Sequence, residues 1–317
     1  MPSLRVHLAY ATDDDERSAL IANTTYCDFV DTPADAEVIV GSDPALLADA
    51  AQLKHWVLPW AGVPDRLRLA LLERGGVTLH NLHDNAAAVA EHAVGLLLAA
   101  CRRLTTIDAM QRRGEWPGRG APGDVVQRMI VLEGKSAVLL GFGEIGRRVG
   151  RILEAMDVRV TAVTRTGRDG TTPIDRLNDV LPRADVLVCS LPLTDATRGL
   201  IDARRLALLP AGSVIVNVGR GHVFDESALF AALQTGPLAA AGLDVWWTYP
   251  HQLPDGEPST GGTQPWETLD NVLLSPHVAA AFSSPGRRDQ RLSALAHLLQ
   301  ALTQGERPSE VDLHAGY

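Results

Sequence analysis

Ala137-Val138-Leu139-Leu140-Gly141-Phe142-Gly143-Glu144-Ile145-Gly146 runs from an unbroken apolar stretch into three glycines, and a helical pattern at 145–156 follows. An apolar run of strand length, a glycine turn and a helix start, in that order, form the phosphate-binding corner of a dinucleotide fold. The first glycine makes the tight turn, the second lets the backbone approach a pyrophosphate, and the third lets helix and strand pack closely. The helix start then offers N–H groups and the positive end of its dipole to the phosphates. Gly141, Phe142, Gly143, Glu144, Ile145 and Gly146 are therefore candidate cofactor contacts.

Downstream of this corner, residues 158–163, 186–189, 214–218, 241–245 and 272–274 are further continuous apolar runs, with helical patterns at 202–209 and 226–233. Upstream, 6–9, 38–40, 56–58 and 77–79 read as strands, and 45–50 and 67–73 as helices. Continuous rather than alternating apolar runs belong to parallel strands covered on both faces. The predicted fold class is α/β, with two Rossmann-like doubly wound domains and parallel sheets, the second sheet complete with six strands. An Ala/Leu segment at 89–103 reads as a connecting helix, and a last helical pattern at 291–302 is expected to pack back on the first domain. The predicted domains are 1–97 plus 285–317 for substrate and 98–284 for dinucleotide. The stretches 114–123 and 250–265, rich in Gly and Pro, read as loops.

With 317 residues the chain has room for two such domains. Lys plus Arg total 29 against 38 for Asp plus Glu, a formal charge of −9. Nucleic acid and anionic membrane surfaces demand a basic excess, so neither is expected as a partner. Cys27, Cys101 and Cys189 are odd in number and far apart, the pattern of a reduced, cytoplasmic protein. Residues 1–10 lack the basic-then-apolar pattern of a signal peptide. The most apolar stretch, 86–101, contains Glu91 and His92 and is too short to span a bilayer. No metal site is expected: His80 and His83 stand three apart without further ligands, the pattern of a solvated loop pair.

The end of the strand after the glycine corner addresses the cofactor's ribose. A carboxylate there would accept from a 2′-OH and favour NAD. Here the run is Thr164-Arg165-Thr166-Gly167-Arg168, with no carboxylate before Asp169. Hydroxyls and guanidinium groups suit a 2′-phosphate. Thr164, Arg165, Thr166 and Arg168 are thus candidate contacts, and NADP(H) is preferred with NAD(H) as the alternative.

The sequence resembles the D-isomer-specific 2-hydroxyacid dehydrogenase family, which includes glyoxylate/hydroxypyruvate reductases, phosphoglycerate dehydrogenases, formate dehydrogenase and phosphite dehydrogenase. The likeness runs through Ala61-Gly62-Val63, Val89-Ala90-Glu91-His92-Ala93, the 141–146 corner and Leu191-Pro192-Leu193-Thr194. It continues in Val216-Asn217-Val218-Gly219-Arg220-Gly221, Gly242-Leu243-Asp244-Val245 and Ser275-Pro276-His277. The resemblance implies an active site in an interdomain cleft, with the first domain built from both chain ends. It places the family's catalytic arginine on Arg220, which would bind the substrate carboxylate and polarise the keto oxygen. It places the acid–base histidine on His277, which would protonate the developing alkoxide. His92, within the connecting-helix motif, is expected to be structural. The loop of Trp60, Ala61, Gly62 and Val63 would hold the substrate carboxylate through N–H groups, and Asn85 matches a substrate-binding asparagine of formate dehydrogenase. Leu191, Pro192, Thr197, Val218, Gly219, Asp244, Arg220 and His277 complete the implied cofactor contacts.

One position departs from the family. The carboxylate that normally pairs with the histidine stands just before a proline, and here Tyr249 precedes Pro250. A tyrosine could hydrogen-bond the imidazole but would not raise its pKa as a carboxylate does. Asp255 or Glu257 in the next loop are alternatives for the missing charge. The implied activity is interconversion of a small 2-oxo acid and its D-2-hydroxy acid by hydride transfer. Two other readings stay open: a dehydrogenase for an unusual anion such as a phosphonate, and a dinucleotide-sensing protein without turnover. The family dimerises through the segment matching 107–123, so a homodimer is expected, with Trp116 in the contacting arm.

Overall fold

The computed structural model describes residues 3–10, 14–118, 124–253, 259–281 and 287–316. The chain divides into two compact units, Met1–Asn85 with Phe282–Tyr317, and Ala86–Ala281. The boundary expected at 97 lies inside the helix Ala86–Cys101. That helix buries Val89, Ala93, Leu97 and Cys101 against Ala137, Leu139 and Val216 of the second unit, which keeps it there as a whole.

The first unit holds strands β1 (Leu4–Ala9), β2 (Cys27–Phe29), β3 (Val38–Gly41), β4 (His55–Leu58) and β5 (Thr78–Asn81). They form a parallel sheet in the order β2-β1-β3-β4-β5. The period-2 geometry of a strand explains the unbroken apolar runs. Val38 and Val40 enter the core on one face, while Ile39 enters the core on the other. The helix Arg287–Thr303 returns to this unit and buries Leu292, Leu295 and Leu299 beside Val6 and Leu20. Residues 45–50, expected as a helix, form only the 3₁₀ turn Pro44–Ala48, capped by the Asp43 side chain on the Ala45 N–H. His80 is not a solvated loop residue. It lies on β5, fully buried, with Nδ1 bonded to the Pro308 carbonyl and Nε2 to the Thr78 hydroxyl.

In the second unit, β6 (Ser136–Leu140), β7 (Arg159–Thr164), β8 (Thr172–Pro173), β9 (Val186–Cys189), β10 (Ser213–Asn217), β11 (Leu238–Leu243) and β12 (Val272–Leu274) follow in chain order. All pair in parallel, in the order β12-β11-β10-β9-β6-β7-β8. The order turns between β6 and β9, the switch point at whose carboxyl edge doubly wound sheets bind ligands. Faces alternate here too: Ala137 and Leu139 point to one core, Val138 and Leu140 to the other. The sheet has seven strands rather than six, because the two-residue edge strand β8 pairs with the end of β7. The strand expected at 241–245 ends at Leu243. The Asp244 N–H still closes the ladder on the Asn217 carbonyl, and beyond it the Asp244 side chain turns to the next loop. Among the described residues, no helix is long and apolar enough to cross a membrane.

Candidate active site

The carboxyl edge of the second sheet gathers the candidate residues of that unit. The corner 141–146 follows β6 and opens the helix Glu144–Glu154, with Gly143 at its N-cap. A Cβ on Gly146 would lie 2.1 Å from the Gly141 carbonyl oxygen, so only glycine lets the helix approach its own turn this closely. Gly143 is the opposite case. A Cβ there would meet no protein atom within 4 Å, which leaves the space before the helix N-terminus open. Open space, free backbone N–H groups and the positive helix end together fit a pyrophosphate. Behind them, the Arg147 guanidinium sits 5.1 Å from the centre of the Phe142 ring.

At the end of β7, Thr164 Oγ1 bonds Thr171 Oγ1 at 2.7 Å and accepts from the Gly167 N–H at 3.1 Å. These bonds shape the 164–171 loop and leave Arg165, Thr166 and Arg168 exposed. In the 190–197 loop, Leu191 and Pro192 are half-buried. Thr197 is buried, and its hydroxyl donates to the Pro192 carbonyl at 2.7 Å, so it shapes this loop from within.

Arg220 leaves the carboxyl end of β10. The buried Asn217 builds its loop: Nδ2 donates to the Arg220 carbonyl at 3.0 Å, and Oδ1 accepts from the Gly219 N–H at 3.1 Å. The Arg220 guanidinium donates to the Gly219 carbonyl at 2.7 Å and is half-buried, so the fork retains further donors. Val218 is buried behind the loop, its N–H on the Cys189 carbonyl.

His277 follows β12 in a left-handed conformation, φ 59°. A non-glycine residue there is strained by about 1–3 kcal/mol unless its surroundings fix it. The fixing group is Asp244, only 1 % exposed. Its Oδ1 accepts from the Ser275 hydroxyl at 2.5 Å and the Val278 N–H at 2.9 Å, and its Oδ2 accepts from the Ala279 N–H at 3.0 Å. His92 Nε2 bonds Ser275 Oγ at 2.9 Å and stands 3.5 Å from Asp244 Oδ1. Asp244 thus lies behind the His277 loop, with both oxygens engaged there.

Much of His277 is exposed, yet one side of its ring lies against protein, with the Tyr249 ring at 5.3 Å between centroids. This partial burial is the main cause that lowers its pKa below the ordinary histidine value. The nearby Arg220 charge lowers it further, and Asp244 opposes both. Tyr249 has its own pKa raised by burial, and its hydroxyl accepts from the Trp246 N–H at 3.4 Å. Asp255 and Glu257, the alternative partners, lie outside the described residues.

Beside these loops is an aromatic block. Trp247 stacks on Trp266 at 5.4 Å, and Trp246 meets Trp266 edge-on at 6.2 Å. Glu226 anchors the strand-free segment that carries Trp266, accepting from the Thr263 and Gln264 N–H groups and from Trp266 Nε1.

In the first unit, the loop after β4 carries Trp60, which is exposed, and Ala61, Gly62 and Val63, which are half-buried. The buried Asn81 on β5 holds this loop, donating from Nδ2 to the Ala61 carbonyl at 2.7 Å. Asn85 is half-buried at the end of the unit. Sequence reasoning missed Asn81, Asn217 and Ser275 as builders of these loops. Asn217 carried one signal, a polar residue inside an otherwise apolar run.

A family profile described as D-isomer specific 2-hydroxyacid dehydrogenase, NAD binding domain, matches residues 94–279. The D-3-phosphoglycerate dehydrogenase of Archaeoglobus fulgidus is 33 % identical over 256 residues, 79 % of this chain and 44 % of that protein. The match therefore spans less than half the length of that relative. The glyoxylate reductase of Thermococcus kodakarensis is 32 % identical over 269 residues, 82 % of this chain and 77 % of that protein. A solved D-isomer specific 2-hydroxyacid dehydrogenase from Xanthobacter autotrophicus Py2, in complex with NADPH and MES, is similar with a TM-score of 0.78 and 27 % identity, covering 100 % of both chains.

Proposed function

From the premise that the chain belongs to the D-isomer specific 2-hydroxyacid dehydrogenase family, we propose that it interconverts a small 2-oxo acid and its D-2-hydroxy acid, with NADP(H) as the preferred dinucleotide. The observation that carries this reading is the placement of Arg220 and His277 on loops leaving β10 and β12, the two neighbours of β11. When bound, the reduced dinucleotide supplies a hydride. Arg220 holds the substrate carboxylate and polarises the keto oxygen with its remaining N–H donors. His277, as the imidazolium, gives its ring proton to the oxygen as negative charge develops there; in the oxidative direction the neutral ring takes that proton back. Trp60, Ala61, Gly62, Val63 and Asn85 are proposed substrate contacts, the first four through a loop that Asn81 holds in shape.

The cofactor preference rests on Arg165 and Arg168, exposed at the end of β7 where no carboxylate stands before Asp169. Each guanidinium facing a 2′-phosphate contributes about 1.5–3 kcal/mol, a preference of roughly tenfold or more. The test is a panel of 2-oxo acids and phosphonates with NADPH and NADH, followed by nicotinamide absorbance. The expected result is turnover of a 2-oxo acid, faster in kcat/KM with NADPH. The double substitution Arg165→Ala/Arg168→Ala should raise the NADPH KM and leave NADH nearly untouched. Turnover of phosphonates alone would replace the substrate class. Tight NADPH binding without turnover of any member would replace the enzyme with a sensor.

A further inference from the structure

At the amino ends of β6, β9, β10 and β11, on the edge of the second sheet remote from the glycine corner, lies a cavity of about 420 Å3. Its charged lining is Arg103, Arg128, Lys135 and Asp185; with Asp270, which pairs with Arg128, three cations face two carboxylates. Asp185 is already matched, since Oδ1 accepts from Lys135 Nζ at 3.1 Å and Oδ2 from the Ser136 N–H at 2.9 Å. Arg128 is held only by a long ion pair, Nη1 to Asp270 Oδ2 at 3.4 Å, and Arg103 has no carboxylate partner among the described residues. Arg103 is 7 % exposed, and its guanidinium makes two hydrogen bonds, to the Ala239 carbonyl at 2.9 Å and, long, to the Asp270 carbonyl at 3.4 Å. Each guanidinium carries five N–H donors, so most of the donors of this pair have no acceptor among the described residues.

Two further features mark the spot. Arg103 stands in the left-handed conformation, φ 53°, at the junction after the helix Ala86–Cys101. That turn carries its side chain back to the sheet edge. The buried guanidinium also has its pKa lowered, first by burial and then by repulsion from Arg128, with Asp270 opposing, which is a cost of holding this cation here. An anion between the two arginines would relieve that cost and fill the vacant donors. Ile130 and Leu132 add apolar wall, and the volume exceeds what an inorganic oxyanion alone needs.

We propose that this cavity is a second anion site, which takes a small organic phosphate: the phosphate on the Arg103 and Arg128 forks, with Lys135 beside it, and a short apolar body against Ile130 and Leu132. Phosphate fits because its three terminal oxygens accept from two planar forks at once, in charge-assisted bonds. The site is separate from the pyrophosphate corner, which lies at the carboxyl ends of the same strands.

The test is calorimetric titration of NADPH-saturated protein with inorganic phosphate and with glycerol 2-phosphate, against chloride at matched ionic strength. Saturation occupies the pyrophosphate corner. The expected result is binding of both probes, tighter for the organic one, that persists in Arg220→Ala and weakens about tenfold or more in Arg128→Ala and in Lys135→Gln. Arg128 is partly exposed, so its variant should fold, and Arg128→Lys should recover part of the affinity. Binding lost in Arg220→Ala and kept in Arg128→Ala would put the anion in the catalytic site and overturn the proposal. Absence of binding by the wild type below about 10 mM, a free energy near the weak end of specific association, would overturn it as well.

Discussion

Asp244→Asn tests whether the strained His277 loop owes its geometry to the carboxylate behind it. Asp244 accepts from Ser275 Oγ, from the Val278 N–H and from the Ala279 N–H, all within 3.0 Å, the first and last of them out of water. Asparagine keeps the size but replaces one acceptor with an NH2 that faces a donor. One charge-assisted bond, about 1.5–3 kcal/mol, is lost, and a buried donor is left unmet. That loss is comparable to the roughly 1–3 kcal/mol needed to hold a non-glycine residue left-handed. His277 should therefore leave its φ of 59° for part of the time. A fall in kcat of about 10- to 100-fold corresponds to 1.4–2.7 kcal/mol of lost transition-state stabilisation. The assay is steady-state kinetics with saturating NADPH, with denaturant unfolding alongside to register the stability loss. Expected are a reduced kcat, a lower unfolding midpoint and an NADPH KM within a fewfold of the wild type. If kcat is unchanged, or if the whole effect appears in the NADPH KM, Asp244 serves the cofactor and the account of the loop is wrong.

Three further outcomes are expected. Arg220→Lys keeps the charge but loses the planar fork, and kcat/KM should fall a hundredfold or more, in line with about 3 kcal/mol for a lost oxyanion donor, at nearly constant cofactor affinity; normal activity in the folded protein would make Arg220 structural. Because the His277 pKa is lowered, the imidazolium needed for keto reduction is lost as pH rises through a value below the ordinary ~6.5, and oxidation improves over the same window. Tyr249→Glu sets an opposite charge beside the ring and should move the reductive limb up by about one unit or more, whereas a shift produced by Glu257→Gln and not by Tyr249→Glu would assign the role to the loop acid. Light scattering at micromolar concentration should give twice the 34.0 kDa chain mass, with Trp116, 80 % exposed, in the contact; Trp116→Ala should weaken the dimer, and a monomeric wild type would remove this role.

The parallel sheets were legible because strands covered on both faces have no polar alternation to hide them: 38–40 and 137–140 feed two cores each. What the pattern left out lacks that double burial. The edge strand β2 is three residues with an exposed Asp28 at its centre, and β8 is two residues long. The helix Leu104–Arg112 buries no residue, and its stripe of Leu104, Ile107 and Met110 is too short to stand out from the connecting helix before it. His80 misled for the reverse reason. A polar ring on a strand looks solvated until its two partners, a hydroxyl on the same strand and a carbonyl 228 residues away, come into place.

The site divides along the same line. The glycine corner is local in the feature that marks it, the close approach of Gly146 to Gly141 within six residues, so spacing alone discloses it. Arg220 and His277 came from resemblance, and the sheet brings both to its carboxyl edge. The layer behind them joins His92 to Ser275 across 183 residues and Ser275 to Asp244 across 31, distances at which spacing carries no signal. That layer also bears on the carboxylate missing before Pro250. Among the described residues, the anion whose field acts on His277 is Asp244, and it is turned toward the backbone of 275–279. Its pull on the proton is outweighed by the partial burial of the ring and by Arg220, so the histidine is left a stronger acid than usual. A stronger acid gives up its proton more readily once the imidazolium has formed, and a smaller fraction of the protein holds that proton at neutral pH. On the proposed role of His277, Tyr249 in place of a carboxylate would trade the occupancy of the acid for its strength, so that oxidation would run fast at neutral pH and reduction would need more acid conditions.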